Sequence, residues 1–154
     1  MKSIAVVDHR NAHTAKELIS LQRRAYAVEA ELIGYDRLPP LVETVQDLMG
    51  SALTVLAAVE SDALVGLLGY TLSDGVVEVD RIAVDPVLVR QGHARRLLDA
   101  LHERHPACDV VVSTAADNAP AIALYESLGY LRVGQRTVAD TLAVVDFRKP
   151  STSP

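Results

Sequence analysis

Three apolar runs rich in beta-branched residues, 53–59, 64–72 and 76–84, follow one another with only Glu60-Ser61-Asp62 and Ser73-Asp74-Gly75 between them. Spacers this short and polar are turn chemistry, and strands joined by tight turns lie antiparallel. The chain is thereby committed to a meander whose third strand ends at Asp85-Pro86. The pattern then changes. Residues 92–105 carry helical spacing, 109–113 read as a buried strand, 118–128 as a helix stopped by Gly129, and 130–136 and 141–148 as two last strands. Strand, helix, strand implies a parallel pair joined by a right-handed crossover, so the sheet is mixed.

Upstream of the meander, 3–7 reads as a short strand and Asn11 opens an amphipathic helix, with Ala15, Leu18, Ile19, Gln22, Ala25, Tyr26 and Glu29 at three-and-four spacing. Gly34 and Pro39-Pro40 break the chain, and Pro40 begins a second helix through Leu41, Val45, Leu48 and Met49 to Gly50. The expected order is β-α-α-β-β-β-α-β-α-β-β. This is an α/β (α+β) fold with a mixed central sheet of about seven strands flanked by about four helices.

Composition sets the frame for that order. With 154 residues, 49% of them apolar, the chain has enough material for one domain, expected over 1–149, whose core needs no staple. Residues 150–154 are expected to be a disordered end. No apolar run approaches the roughly 18 residues of a membrane helix. The single cysteine, Cys108, permits neither an internal disulfide nor a four-cysteine zinc site, and no metal is expected. The amino terminus lacks a signal peptide's apolar stretch, so cytoplasm is the default. Fifteen basic against 20 acidic residues give a net charge of -5, which offers a nucleic-acid backbone no footprint. The imbalance is local as well. From Ser51 to Asp80 there is no Lys or Arg, while Glu60, Asp62, Asp74, Glu78 and Asp80 are all acidic.

Between the meander and the first crossover helix lies Val89-Arg90-Gln91-Gly92-His93-Ala94-Arg95-Arg96. A turn of this kind exposes free N–H groups at a helix amino terminus, where the dipole favours anions, and Gly92 and Ala94 let a phosphate approach closely. Arg90, Arg95 and Arg96 add cationic donors, although arginines in a first helical turn are ordinarily solvated. Downstream stands Asn118-Ala119-Pro120-Ala121-Ile122-Ala123-Leu124-Tyr125-Glu126-Ser127-Leu128-Gly129-Tyr130. Together the phosphate loop, this run and the strand-helix order resemble the GNAT superfamily of acyl-CoA-dependent N-acyltransferases, over nearly the whole chain.

The resemblance implies acetyl-CoA as cosubstrate, held by backbone N–H groups of Arg90, Gln91, Gly92, His93, Ala94 and Arg95, with the pantetheine arm on the backbone of Ile82, Ala83 and Val84. The family's loop pattern begins with Gln or Arg, where this chain has Val89; that departure bears on affinity more than on identity. His93 stands where an aliphatic residue is common, and reads also as a histidine packed against its helix. Asn118 is a helix cap by its place before Pro120, and by resemblance it lies near the pantetheine.

Acyl transfer to an amine needs a neutral amine, a polarised thioester carbonyl and a proton for the leaving thiolate. Direct attack needs no protein nucleophile, and Cys108 reads as structural. Tyr125 matches the family's proton donor; a tyrosine at its ordinary pKa near 10 is protonated at neutral pH. Its other reading is a packing residue beside Ile122. Glu78 and Asp80, two apart in the third meander strand, are expected to share a face with Ile82 and Val84. The resemblance puts a general base at Glu78; the alternatives are surface acids or a water chain.

The acceptor is expected between the first two helices and the last two strands, where Glu29, Tyr35 and Asp80 are the expected contacts and Glu31, Asp36 and Arg37 stand nearby. These carboxylates favour a small cationic amine, with a peptide amine also in the class. The expectation is thus an N-acetyltransferase acting directly on a primary amine, with no nucleic-acid or membrane partner and a homodimer left open. The alternative is a CoA-binding sensor or interaction module that has lost catalysis. A nucleotide-binding doubly wound sheet fits poorly, because the antiparallel meander precedes the loop.

Overall fold

The structure is a computed structural model that describes residues 2–139 and 141–152. The elements are β1 (Lys2–Val7), α1 (Ala12–Ile33), α2 (Pro39–Val42), α3 (Val45–Met49), β2 (Thr54–Glu60), β3 (Ala63–Ser73), β4 (Val76–Val84), α4 (His93–Arg104), β5 (Asp109–Ala115), α5 (Ala119–Ser127), β6 (Leu131–Val138) and β7 (Leu142–Lys149), with a 3-10 turn at Pro86–Leu88 before α4. All strands join one seven-stranded sheet in the order β1-β2-β3-β4-β5-β7-β6. Only β4 and β5 run parallel; every other pair is antiparallel. The mixed sheet expected from the meander and crossover is therefore present.

The meander strands are apolar along their length because both faces of the sheet are covered. On one face Leu97, Leu98 and Leu101 of α4 and Tyr125 of α5 pack against Leu56, Leu68, Val77, Val110 and Phe147. On the other, Ala15, Leu18, Ile19 and Leu21 of α1 and Leu48 of α3 cover Val55, Leu67 and Ala83. Neighbours such as Val55 and Leu56, or Leu67 and Leu68, thus serve opposite layers, as the two-residue period of a strand requires.

α1 begins where expected: the Asn11 side chain accepts from the Thr14 N–H, and Gly34 ends the helix at φ 67°, a left-handed geometry that glycine tolerates. The single second helix expected from Pro40 to Gly50 is instead two. Glu43 is extended (φ −60°, ψ 133°), and Thr44 starts α3 with a reciprocal cap, its side chain accepting from Asp47 N–H while the Asp47 carboxylate accepts from Thr44 N–H. The capping residues overrode the apolar periodicity.

A second difference lies in β4. Gly69 pairs with Arg81 while Tyr70 pairs with Val79, so Asp80 is an extra residue bulged out of the ladder. The bulge reverses the alternation. Val77 and Val79 face the α4 layer, yet so does Ile82, while Ala83 faces α1. Glu78 and Ile82 consequently lie on opposite faces, which corrects the shared face expected from unbroken spacing.

The expected disordered end falls partly outside the described residues. Within them, Ser151 N–H donates to the Asp109 carboxylate at 2.8 Å and Thr152 N–H to the Pro106 carbonyl at 3.1 Å. Among the described residues no helix is long and apolar enough to cross a membrane.

Candidate active site

The parallel ladder between β4 and β5 has only three steps, Val76 with Asp109, Val77 with Val110 and Glu78 with Val111. Beyond it the strands part. The bulge at Asp80 follows directly, and a bulge adds local twist and bends its strand. The opening holds a cavity of about 630 Å³ floored by residues 79–84 of β4 and 112–115 of β5. Its far walls come from Tyr26 and Glu29 of α1, Leu38, Pro39 and Pro40 at α2, Tyr125 of α5, and Arg136, Val138 and Leu142 of the last hairpin. At its near end stand Val89 and Ala94.

That end is the helix terminus singled out in the sequence. Gly92 caps α4 at φ 81° with no side-chain cap, and Arg90 is also left-handed at φ 66°. A Cβ on Gly92 would meet nothing within 4 Å, so its glycine is required by the backbone angle and its outward side is open. The first-turn N–H groups of α4 are available to an anion, where the helix dipole favours one.

The three arginines divide. Arg95 donates to Ser127 Oγ at 2.6 Å, Arg96 donates to His93 Nδ1, and Arg90 makes no hydrogen bond or ion pair among the described residues. The His93 side chain is buried beneath the helix and faces Glu60 at 3.6 Å. Burial, with Arg96 beside it, holds its pKa below the ordinary value. Its imidazole is thus packed against the helix, as its packing reading expected.

Deeper in the cavity, Tyr125 is 3% exposed and packs against Tyr130 and Phe147. Burial first, and the Glu29 carboxylate second, push its hydroxyl well above the ordinary tyrosine range. Tyr26 is pushed up by the same two causes, and its hydroxyl accepts the Ile82 N–H at 3.2 Å. One backbone donor expected for the pantetheine is thereby engaged by Tyr26. Glu29 is itself raised by burial, with partial compensation from Asn118, whose Nδ2 donates to Glu29 Oε1 at 2.7 Å. The Asn118 Oδ1 meanwhile accepts the Ala121 N–H at 3.2 Å and caps α5.

Asp80 lines the cavity but is paired with Arg81, whose side chain is only 9% exposed and also engages both oxygens of Glu43 and the Gln22 amide oxygen. Arg136 is paired with Asp146. Glu78 does not line the cavity: it is exposed and sits where β4 and β5 are still paired. Tyr35 lies outside it too, in an open depression with Asp36 and Leu41, its ring under the Arg37 guanidinium at 5.0 Å. The structure therefore brings Glu29, Asp80, Ile82, Ala83, Val84, Ala94 and Tyr125 to one cavity, leaves out Glu78 and Tyr35, and sets Arg90, Gln91, Gly92, His93, Arg95 and Asn118 outside its lining.

Sequence reasoning passed over Arg81, Glu43 and Arg136, and read Tyr26 and Gln22 only as members of a helical stripe. The available signal was Gln22, Tyr26 and Glu29, polar groups four and three apart on an otherwise apolar face.

The model of the Acetyltransferase (GNAT) family matches residues 15–130. The chain belongs to the GNAT acetyltransferase family. It is 31% identical over 145 residues to the UPF0157 protein YqkA of Bacillus subtilis, covering 94% of this chain and 42% of YqkA. It is 33% identical over 119 residues to the N-alpha-acetyltransferase RimI of Mycobacterium tuberculosis, covering 74% of this chain and 75% of that one. The chain spans less than half the length of the first curated relatives it matches. Among solved structures it is similar to the ribosomal-protein-S18-alanine N-acetyltransferase of Escherichia coli, with a TM-score of 0.79 at 20% identity over 100% of this chain and 96% of that one. Its seven-stranded mixed sheet is the GNAT fold.

Proposed function

We propose that this GNAT domain moves an acetyl group from acetyl-CoA directly to a primary amine, with small cationic amines favoured, and that it acts in the cytoplasm. One observation carries the reading: a single cavity between the parted strands β4 and β5 runs from the uncapped terminus of α4 to the buried Tyr125 hydroxyl. The pyrophosphate of CoA would bind the first-turn N–H groups after Gly92, and the pantetheine would follow the backbone of Ala83 and Val84. Tyr125, kept protonated by burial, would donate its proton to the departing thiolate.

Charge supports the acceptor class. Arg81 is outnumbered by Asp80 and Glu43, Arg136 is balanced by Asp146, and Glu29 has no cationic partner among the described residues, so the cavity surroundings are net negative. A protein α-amine is the second reading, favoured by the 33% identity to the RimI N-alpha-acetyltransferase. The test is acetyl-CoA turnover against polyamines, aminoglycosides, peptides with free amino termini and neutral amines. Faster use of polyamines and aminoglycosides supports the first reading and faster use of peptides the second; tight CoA binding with no transfer to any amine overturns both.

A further inference from the structure

We propose that Glu29 on α1, rather than a carboxylate of β4, receives the ammonium proton of the acceptor within the cavity. The proposal rests on the acetyltransferase reading above and names the group that reading leaves unassigned.

Two carboxylates line the cavity among the described residues, Glu29 and Asp80. Asp80 is committed: its Oδ2 accepts from Arg81 Nε and lies 2.8 Å from Arg81 Nη2. A carboxylate held by a guanidinium is a weak base, because the pair favours its charged form. Glu29 is in no ion pair among the described residues. Asn118 occupies its Oε1 and no hydrogen bond among the described residues engages Oε2, which leaves one oxygen for a substrate N–H. The carboxylate is also held in place. The Asn118 amide is fixed by its cap on the Ala121 N–H, so its Nδ2 points across from α5 to α1. Asn118 is thus a positioning residue for Glu29.

The titratable groups sharing the cavity are Tyr26 from the same helix, Tyr125 from α5, Asp80 and Arg81 from β4 and Arg136 from β6. The two tyrosines stay neutral and both cations are paired, so an arriving ammonium meets Glu29 as the unpaired negative group. Burial raises the basicity of its carboxylate, toward the range where a general base works at neutral pH.

The step balances. R–NH3+ gives one proton to Glu29, leaving a neutral amine whose lone pair forms the C–N bond at the thioester carbonyl. Collapse of the tetrahedral adduct breaks the C–S bond, and the thiolate takes the Tyr125 proton. The surplus proton on the new amide nitrogen returns to the Tyr125 phenolate, and Glu29 releases its proton to solvent.

The experiment compares the wild type with Glu29→Gln and Glu29→Asp on two acceptors, an aliphatic amine that is protonated at pH 7 and an aromatic amine that is neutral there. Gln keeps an oxygen for the Asn118 bond. With the aliphatic amine, kcat/KM of Glu29→Gln should fall about 100-fold or more, and the deficit should narrow as pH rises and the free amine accumulates. With the aromatic amine the deficit should be small. Glu29→Asp, which restores a carboxylate, should recover part of the rate, and acetyl-CoA affinity by calorimetry should stay unchanged in both variants. Equal losses on the two acceptors, a loss that pH does not relieve, or no loss at all overturns the assignment. A wild type that turns over no amine overturns the acetyltransferase reading itself, so the two failures are distinguishable.

Discussion

Burial first and the Glu29 carboxylate second raise the proton affinity of the Tyr125 hydroxyl, while the Glu29 carboxyl is raised by its own burial and partly compensated by Asn118. Replacing Tyr125 by Phe removes the proposed proton donor and keeps the ring that packs on Tyr130 and Phe147. Turnover should fall about ten-fold or more with CoA affinity nearly intact, since a general acid contributes in the transition state rather than in binding. Steady-state kinetics beside calorimetry checks this, and unchanged turnover would strike Tyr125 from the mechanism. Tyr125 and Asn118 were legible in the sequence because helix-terminus chemistry and a spaced motif mark them locally. The face of Glu78 relative to Ile82 was misread because it was taken from unbroken strand alternation, which one extra residue at Asp80 reverses. A bulge belongs to the pairing of two strands, and β4 by itself carries no sign of it.

At the scale of elements, the feature hardest to read beforehand is the link between β4 and the α1–α2 corner. Arg81 reaches from the bulge through the gap left by Gly69, where an added Cβ would meet Arg81 Cγ at 3.2 Å, to both Glu43 oxygens and to Gln22. Gln22 in turn donates to the Pro40 carbonyl at 3.0 Å. Polar groups from three separate stretches of chain bind one another around a side chain with almost no access to water, and no local spacing announces such a network. Arg81→Met should therefore cost about 3 kcal/mol, because it leaves the Glu43 carboxylate without its cation and the Gln22 amide oxygen without its donor, while adding Glu43→Leu should cost less than the sum of the two single changes. Urea midpoints at constant slope measure both. A strictly additive double variant would show that the pair is not coupled. The helix split at Thr44 has a similar lesson: Thr44 and Asp47 stood at capping spacing, and that local chemistry outweighed the apolar rhythm running across it.

Across the whole molecule, charge does not follow the sequence clusters. Of the five carboxylates in the stretch without Lys or Arg, Glu60 and Asp62 lie at the β2–β3 turn, Asp74 lies at the β3–β4 turn, and only Asp80 lines the cavity. Near neutral pH the response to acid comes instead from three histidines, two on α4 and one at its carboxyl end. His93, His102 and His105 are each held below the ordinary histidine pKa, by burial first and then by a nearby cation: Arg96, Lys149 and Arg104 in turn. Each is also tied in, His93 to Arg96, His102 to the Tyr130 hydroxyl at 2.7 Å and His105 to the Tyr70 hydroxyl at 2.9 Å. Between the folded values and the unfolded value near 6.5 the unfolded chain binds more protons, so stability rises with pH across that window. It is fully present above the unfolded value and declines as pH falls toward the folded ones. Glu29 acts with the opposite sign, since burial makes it take up a proton more readily in the folded state, but it is one group against three. The urea midpoint should therefore be lower at pH 5.5 than at pH 7.5 with little change in slope, and His102→Gln, which keeps an acceptor for Tyr130, should flatten the difference. A midpoint that stays level or rises on acidification would mean that these rings are not held neutral by the fold.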